Sequence, residues 1–152
     1  MIRTVLLAFI GSVTSGLLFN IKGRKLIFAG VSGLVGSAVY TLLNQFTEYS
    51  IFSIFIGAIA VGLYSETAAR LLKSPSTVFS IPGILPLVPG ITAYEMAQFI
   101  MNNEPDAATG KLIETVEGAG AIAFGIMIVT AVFRFISRVK KMKQMETANK
   151  QE

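Results

Sequence analysis

In 152 residues this chain carries 53% hydrophobic and only 14% charged side chains, with no cysteine and no histidine. That composition excludes a disulfide framework, thiolate or imidazole metal ligation and histidine-based proton transfer, and a mean hydropathy of +0.65 is foreign to a soluble domain with polar helix faces. The net charge of +4 gathers in one short loop and the C-terminal tail, so it reads as membrane topology and not as a nucleic-acid footprint.

The apolar runs approach the roughly 20 residues that cross about 30 Å of hydrocarbon, and five of them follow in chain order. The first runs from about Ile2 to Phe19 and ends in the basic turn Asn20 to Lys25. Its charged start resembles a signal peptide, but a second span begins at Leu26 where a cleavage site and polar mature region would be needed. That second span reaches about Phe46, and Glu48-Tyr49-Ser50 joins it to a third from Ile51 to Leu72, closed by Arg70 and Lys73. Ser74-Pro75 predicts a helix start, a capping hydroxyl followed by proline at the first helical position. The fourth element is interrupted and continues from Thr92 to Met101, and the fifth spans roughly Leu112 to Ile136. The expected architecture is an all-α integral membrane protein, a single transmembrane domain over 1–137 with a basic tail over 138–152.

Orientation follows from the lysines and arginines. Lys22, Arg24 and Lys25, then Arg70 and Lys73, then the tail with Arg138, Lys140, Lys141 and Lys143 mark three cytoplasmic ends. The Glu48 turn and the Glu104 to Asp106 loop carry almost no positive charge. These signals agree if the chain starts outside, crosses an odd number of times and ends in the cytoplasm, which requires the interrupted fourth element to cross.

Small residues recur at separations of three or four: Gly11, Ser12, Ser15 and Gly16, then Gly30, Gly33, Gly36 and Ser37, then Ala58 and Gly62. Such faces let helices approach closely, and the same pattern would line a passage. Tyr49, Tyr64 and Tyr94 are candidate interface anchors.

The fourth element holds Ile81-Pro82-Gly83-Ile84-Leu85-Pro86-Leu87-Val88-Pro89-Gly90, where three prolines and two glycines interrupt an apolar run. Each proline removes a backbone donor, so the segment cannot stay one helix, and in hydrocarbon such backbone persists only beside protein or a wet cavity. Thr92-Ala93-Tyr94-Glu95 fits a capping box, which starts a second helix with its positive end turned to the break. Charged candidates at membrane depth are few. Glu66 and Arg70 are spaced to pair along one helix face or to meet a zwitterion, and Glu114 and Glu117 share a face near the outer end of the fifth helix.

The run from Ile81 to Gly90, followed by Ala93-Tyr94, resembles the signature of the threonine/serine exporter family, specifically its short membrane subunit matching the C-terminal half of full-length exporters. The resemblance implies a bacterial inner-membrane carrier exporting threonine, serine or, as in split versions of the family, a dicarboxylate such as succinate. It also implies a larger membrane subunit with further spans and a soluble N-terminal region that this chain lacks, and leaves room for a higher oligomer. Pro82, Gly83, Pro86, Pro89 and Gly90 would shape the substrate site, with Thr92, Tyr94, Glu95, Glu66 and Arg70 completing the candidate set. No cofactor, metal or nucleic acid is expected. Two other classes stay in view: a non-transporting scaffold that stabilises a partner, and an intramembrane enzyme. The enzyme reading is poorly supplied, since Asp106 is the single aspartate and no serine sits in a nucleophile motif.

Overall fold

The computed structural model describes residues 2–47 and 50–149; Glu48 and Tyr49 of the expected second turn lie outside the described residues. All regular structure among those residues is helical, as expected: α1 (Ile2–Leu18), α2 (Arg24–Asn44), α3 (Ser50–Leu71), α4 (Thr77–Ile84), α5 (Gly90–Met101) and α6 (Pro105–Asn149), with a single 3-10 turn at Leu85–Leu87 between α4 and α5. Helices α2, α3 and α6 are each long and apolar enough to cross a membrane. The segments Thr77–Leu87 and Gly90–Met101 pass the same test of length and composition only when taken together, and they are bent by 53° at the break, as in a broken span or a re-entrant loop. Helix α1 is shorter, 17 residues or about 25 Å.

Small residues decide the packing. Helix α1 lies antiparallel on α2, with Gly16 facing Leu26, Gly30 facing Phe9 and Val13, and Gly33 facing Ser12. Helix α2 in turn crosses α3 where Gly36 meets Gly57 and Val61, and the Ser32 and Ser65 hydroxyls bond at 3.2 Å beside that crossing. Without a hydrophobic drive between helices in lipid, such close backbone approach and buried hydroxyl pairs are what hold spans together. Gly30, Gly33, Gly36 and Gly62 are therefore packing residues, whereas a Cβ on Gly11 would meet nothing within 4 Å.

Helix α6 joins the bundle on the far side of α3. Gly118 approaches Ile54, Gly125 meets Ala58, and Val129 covers Gly62. Both residue numbers rise together, so α3 and α6 run parallel, and the chain between them has to traverse the bundle once. Helix α4 carries the first half of the return between α2 and α3: fully buried Phe79 packs with Ala29, Ala68 and Ala69, and Leu87 packs with Ile54, Ala58, Val61 and Ile122. Helix α5 carries the second half and rests on α6, with no buried residue of its own. Helix α6 runs unbroken for 45 residues, about 67 Å, more than twice the hydrocarbon thickness. The backbone of the basic tail, through Asn149, is thus a continuation of the last span.

Three helices stop in the same way. Asn20, Lys73 and Asn103 adopt left-handed dihedrals, with φ of 58°, 46° and 58°. In each case the next residue's N–H reaches back five positions: Ile21 to Gly16 O, Ser74 to Ala69 O and Glu104 to Phe99 O. The closure at Lys73 corrects the expected helix start at Ser74-Pro75. Ser74 belongs to the end of α3, its hydroxyl donating to Leu72 O at 3.1 Å, and α4 begins at Thr77 behind Ser76 with no side-chain cap.

Candidate functional site

The break itself is built from local rules. Pro86 lies in the 3-10 turn, Val88 is extended at φ −61° and ψ 130°, and Pro89 sits at φ −74° and ψ 61°. The Gly90 N–H donates to Val88 O at 2.7 Å across Pro89, which closes an inverse γ-turn. Proline pre-sets φ for this turn, and Gly90 then enters α5 directly. The two half-elements point in different directions because this turn spends two residues outside any helical ladder.

That geometry overturns the capping box. Helix α5 starts at Gly90, two residues before Thr92, so Thr92 already has a place inside the first turn and cannot cap it. Its hydroxyl donates back to Pro89 O at 2.8 Å. The Glu95 carboxylate leaves the helix and lies 2.9 Å from Lys111 Nζ on α6, a cation being the stronger partner for it than a backbone N–H. The N-terminus of α5 therefore has no side-chain cap. The Gly90 N–H is bonded to Val88 O and the Ala93 N–H to Pro89 O, so the N–H groups of Ile91 and Thr92 are the ones left at the positive end of the helix dipole beside the break.

Beside this terminus is a pocket of about 290 Å³. Pro86 to Thr92 form one wall, Tyr40 of α2 and Ser50 of α3 a second, and Glu114 of α6 a third. The Tyr40 and Ser50 hydroxyls are 3.5 Å apart. Glu114 lies 3.0 Å from Lys111 Nζ, so a single lysine links Glu95 and Glu114 into a cluster with one excess negative charge. Hydrogen bonding to Glu95 first, and to Glu114 second, raises the Lys111 pKa above its ordinary value. The pocket thus offers N–H donors at one side, a carboxylate at another and hydroxyls between them.

The sequence candidates separate into groups. Pro86, Pro89, Gly90 and Thr92 line this pocket, and Glu95 is one lysine away from it. A Cβ on Gly90 would meet nothing within 4 Å, so its bare backbone faces open space. Pro82 and Gly83 lie deeper and pack: a Cβ at Gly83 would fall 2.2 Å from Ser32 Oγ. Tyr94 is 64% exposed on the outer side of α5, its hydroxyl accepting from Gln98 Nε2 at 3.3 Å. Glu66 and Arg70 are at the opposite end of the bundle and form no ion pair with each other among the described residues. Arg70 instead stacks 4.7 Å over the Phe133 ring and donates to Ser137 Oγ at 3.2 Å, because parallel α6 brings an aromatic face and a hydroxyl within its reach.

Tyr40, Ser50 and Lys111 went unnoticed in the sequence. A tyrosine near the end of one span and a serine opening the next were the available signal, and they acquire meaning only from the antiparallel packing of α2 on α3. Glu114 and Glu117 also part company: Glu114 reaches the pocket, while Glu117 borders a separate apolar groove of about 1130 Å³ between α3 and α6. No group of three or more metal-ligating side chains occurs among the described residues.

Residues 4–132 match the model of a family described as threonine/serine exporter. Over 114 residues the chain is 28% identical to a protein of Corynebacterium glutamicum named threonine/serine exporter, a match covering 75% of this chain and 23% of that protein. Over 137 residues it is 24% identical to an uncharacterized protein of Haemophilus influenzae, covering 85% of this chain and 46% of that one. The chain thus spans less than half the length of these relatives. No solved structure matches it. By the extent of the family match, the chain belongs to the threonine/serine exporter family.

Proposed function

We propose that this member of the threonine/serine exporter family is the membrane subunit of a secondary carrier that moves small amino acids out of the cell, working with a larger membrane subunit of the same family. The observation that supports this most is the pocket at the break, where an uncapped helix N-terminus faces Glu114 across a space lined by the Tyr40 and Ser50 hydroxyls. A substrate carboxylate is suited to the N–H groups at the start of α5, as anions are at helix N-termini generally. Its ammonium is suited to Glu114, and a threonine or serine hydroxyl to Tyr40 or Ser50. Discontinuous helices hold substrate in this way in other secondary transporters, with movement of one bundle against another supplying alternating access.

The carboxylate at Glu114 favours a zwitterion over a dicarboxylate such as succinate, since a second substrate carboxylate would meet a like charge. Succinate would need Lys111 to turn from Glu114 toward the pocket. With the N-terminus outside and the C-terminus in the cytoplasm, as the lysines and arginines direct, the pocket opens on the outer half of a bacterial inner membrane. The pair Arg70 and Phe133 then lies near the cytoplasmic surface.

The test is efflux. Cells carrying the larger subunit are loaded with a threonine- or serine-containing peptide, or with raised internal succinate, and release is measured with and without this chain. Release that depends on this chain supports the carrier reading, with threonine and serine ahead of succinate. Equal release of all three with and without it would sink the reading and leave a scaffold that only steadies its partner.

A further inference from the structure

The bundle is a row with unlike edges. Among the described elements α1 packs on α2, α4 and the 3-10 turn, while α6 packs on α3 and α5, so α1 is one edge and the α3–α6 face lies toward the other. That face carries an open, shallow depression. The groove of about 1130 Å³ is lined by Phe52 and Phe55 of α3 and by Gly120, Ala121 and Phe124 of α6, with the Glu117 carboxylate on its rim. The opposite edge is a ridge. Leu6, Leu7, Ile10 and Leu17 of α1 are each more than half exposed, and Arg3 stands at the head of that face.

Two features match across the molecule. Arg3 and Glu117 are both exposed and form no ion pair among the described residues. Levels can be counted along the helices from the crossing of Gly36 with Gly57, through the contacts of Gly33 with Ser12 and of Gly125 with Ala58. At 1.5 Å per residue, Arg3 and Glu117 then lie on the same side of that crossing and within about one helical turn of each other. In a shared membrane plane a neighbouring copy keeps this level. By the same count Leu6 and Leu7 fall opposite the small residues Gly120 and Ala121 and the ring of Phe124, a ridge of large side chains against a floor notched by small ones. Helices α1, α3 and α6 all run in one direction, so α1 would enter the groove parallel to both walls.

From these observations we infer that α1 of a second copy of this chain occupies the α3–α6 groove, with Arg3 of one copy paired to Glu117 of the next. The interface is heterologous: each copy presents a ridge and a groove, and neither is complementary to itself. Repetition through a fixed rotation about the membrane normal closes such copies into a ring. The pairing also removes two charges from lipid contact, where isolated arginine and glutamate side chains are costly.

The absence of cysteine from the sequence makes the test direct. Leu6→Cys and Phe124→Cys are introduced into separate chains, which are co-expressed with the larger subunit and oxidised in native membrane vesicles. The mixture should yield a disulfide-linked pair while neither variant alone does so, and the doubly substituted chain should yield a ladder of linked copies. In the doubly substituted chain, where every copy carries both cysteines, adding Glu117→Arg should lower the linked fraction by at least about fivefold, because like charges then face each other, and adding Arg3→Glu to that chain should restore it. Recovery in the charge-swapped chain separates a lost interface from a lost fold. The proposal is overturned if no intermolecular product forms, if either single variant links to itself, or if the linked product contains only the larger subunit.

Discussion

Gly83 lies so close to Ser32 that a Cβ on the glycine would come within 2.2 Å of the serine hydroxyl oxygen and 2.9 Å of Val61 Cγ1. This contact fixes α4, the first half of the broken element, against α2 and α3. Since Ser32 is already bonded to Ser65, the hydroxyl cannot yield without losing a buried partner. Gly83→Ala should therefore destabilise the bundle by about 1–3 kcal/mol, the usual cost of overpacking. Thermal unfolding in detergent checks it, and adding Ser32→Ala should recover part of the loss.

Gly90 predicts the opposite combination. A side chain there meets no neighbour but stands in the pocket. Gly90→Val should keep expression, monodispersity and assembly near normal and reduce efflux at least about tenfold, a loss of some 1.4 kcal/mol or more. Transport at ordinary levels in this variant would assign the break a purely structural role.

Removal of charge at Glu114 and at Glu95 should have unequal effects. Glu114→Gln takes the carboxylate out of the pocket and should raise the half-saturating concentration for threonine about tenfold, the scale of one charge-assisted hydrogen bond. Glu95→Gln leaves Glu114 paired to Lys111 and should change it by less than about threefold, as exposed ion pairs usually do. Transport titrations on the two variants, reconstituted with the larger subunit, decide between them.

The Lys111 pKa is raised by its bonds to Glu95 and Glu114, so the lysine carries its charge throughout the neutral range. The sign of the linkage follows: stabilisation from this lysine is full below its ordinary value of 10.5 and is lost as pH rises through the elevated folded value. Thermal stability should show no Lys111-dependent step between about pH 6 and 9, and Lys111→Met should remove a decline seen at higher pH. A Lys111-dependent step near neutrality would contradict the ion cluster.

Arg70 is a clamp between α3 and α6. Phe133→Leu should cost about 0.5–1 kcal/mol of stability, the range of an exposed cation–π contact, and leave threonine affinity unchanged. A double-mutant cycle with Arg70→Gln measures the coupling. A shift in substrate affinity would return Arg70 to the binding machinery.

The spans were readable because each is a long apolar run closed by charge. Helix ends were harder. Thr92 and Glu95 satisfy the spacing of a capping box, but the γ-turn at Pro89 starts α5 two residues earlier and Lys111 draws Glu95 away. Ser74 looked like a cap, but the left-handed Lys73 claims it for α3. The pairing of Arg70 with Phe133 joins residues 63 positions apart, and the pocket combines Tyr40, Ser50 and Glu114 from three helices. Spacing rules describe neighbours on one helix. Partners supplied by tertiary packing are beyond them.

The turn at Pro89 also divides the chain mechanically. On one side of it α4 is locked by buried Phe79, Pro82 and Gly83, whereas on the other α5 buries none of its residues and packs chiefly on α6. Resistance to displacement is accordingly concentrated on one side of a two-residue hinge. Swinging α5 aside would open one wall of the pocket and break the bond from Glu95 to Lys111 while α4 stayed seated. The same joint that prevents a straight helix therefore gives the chain a stator and a shutter.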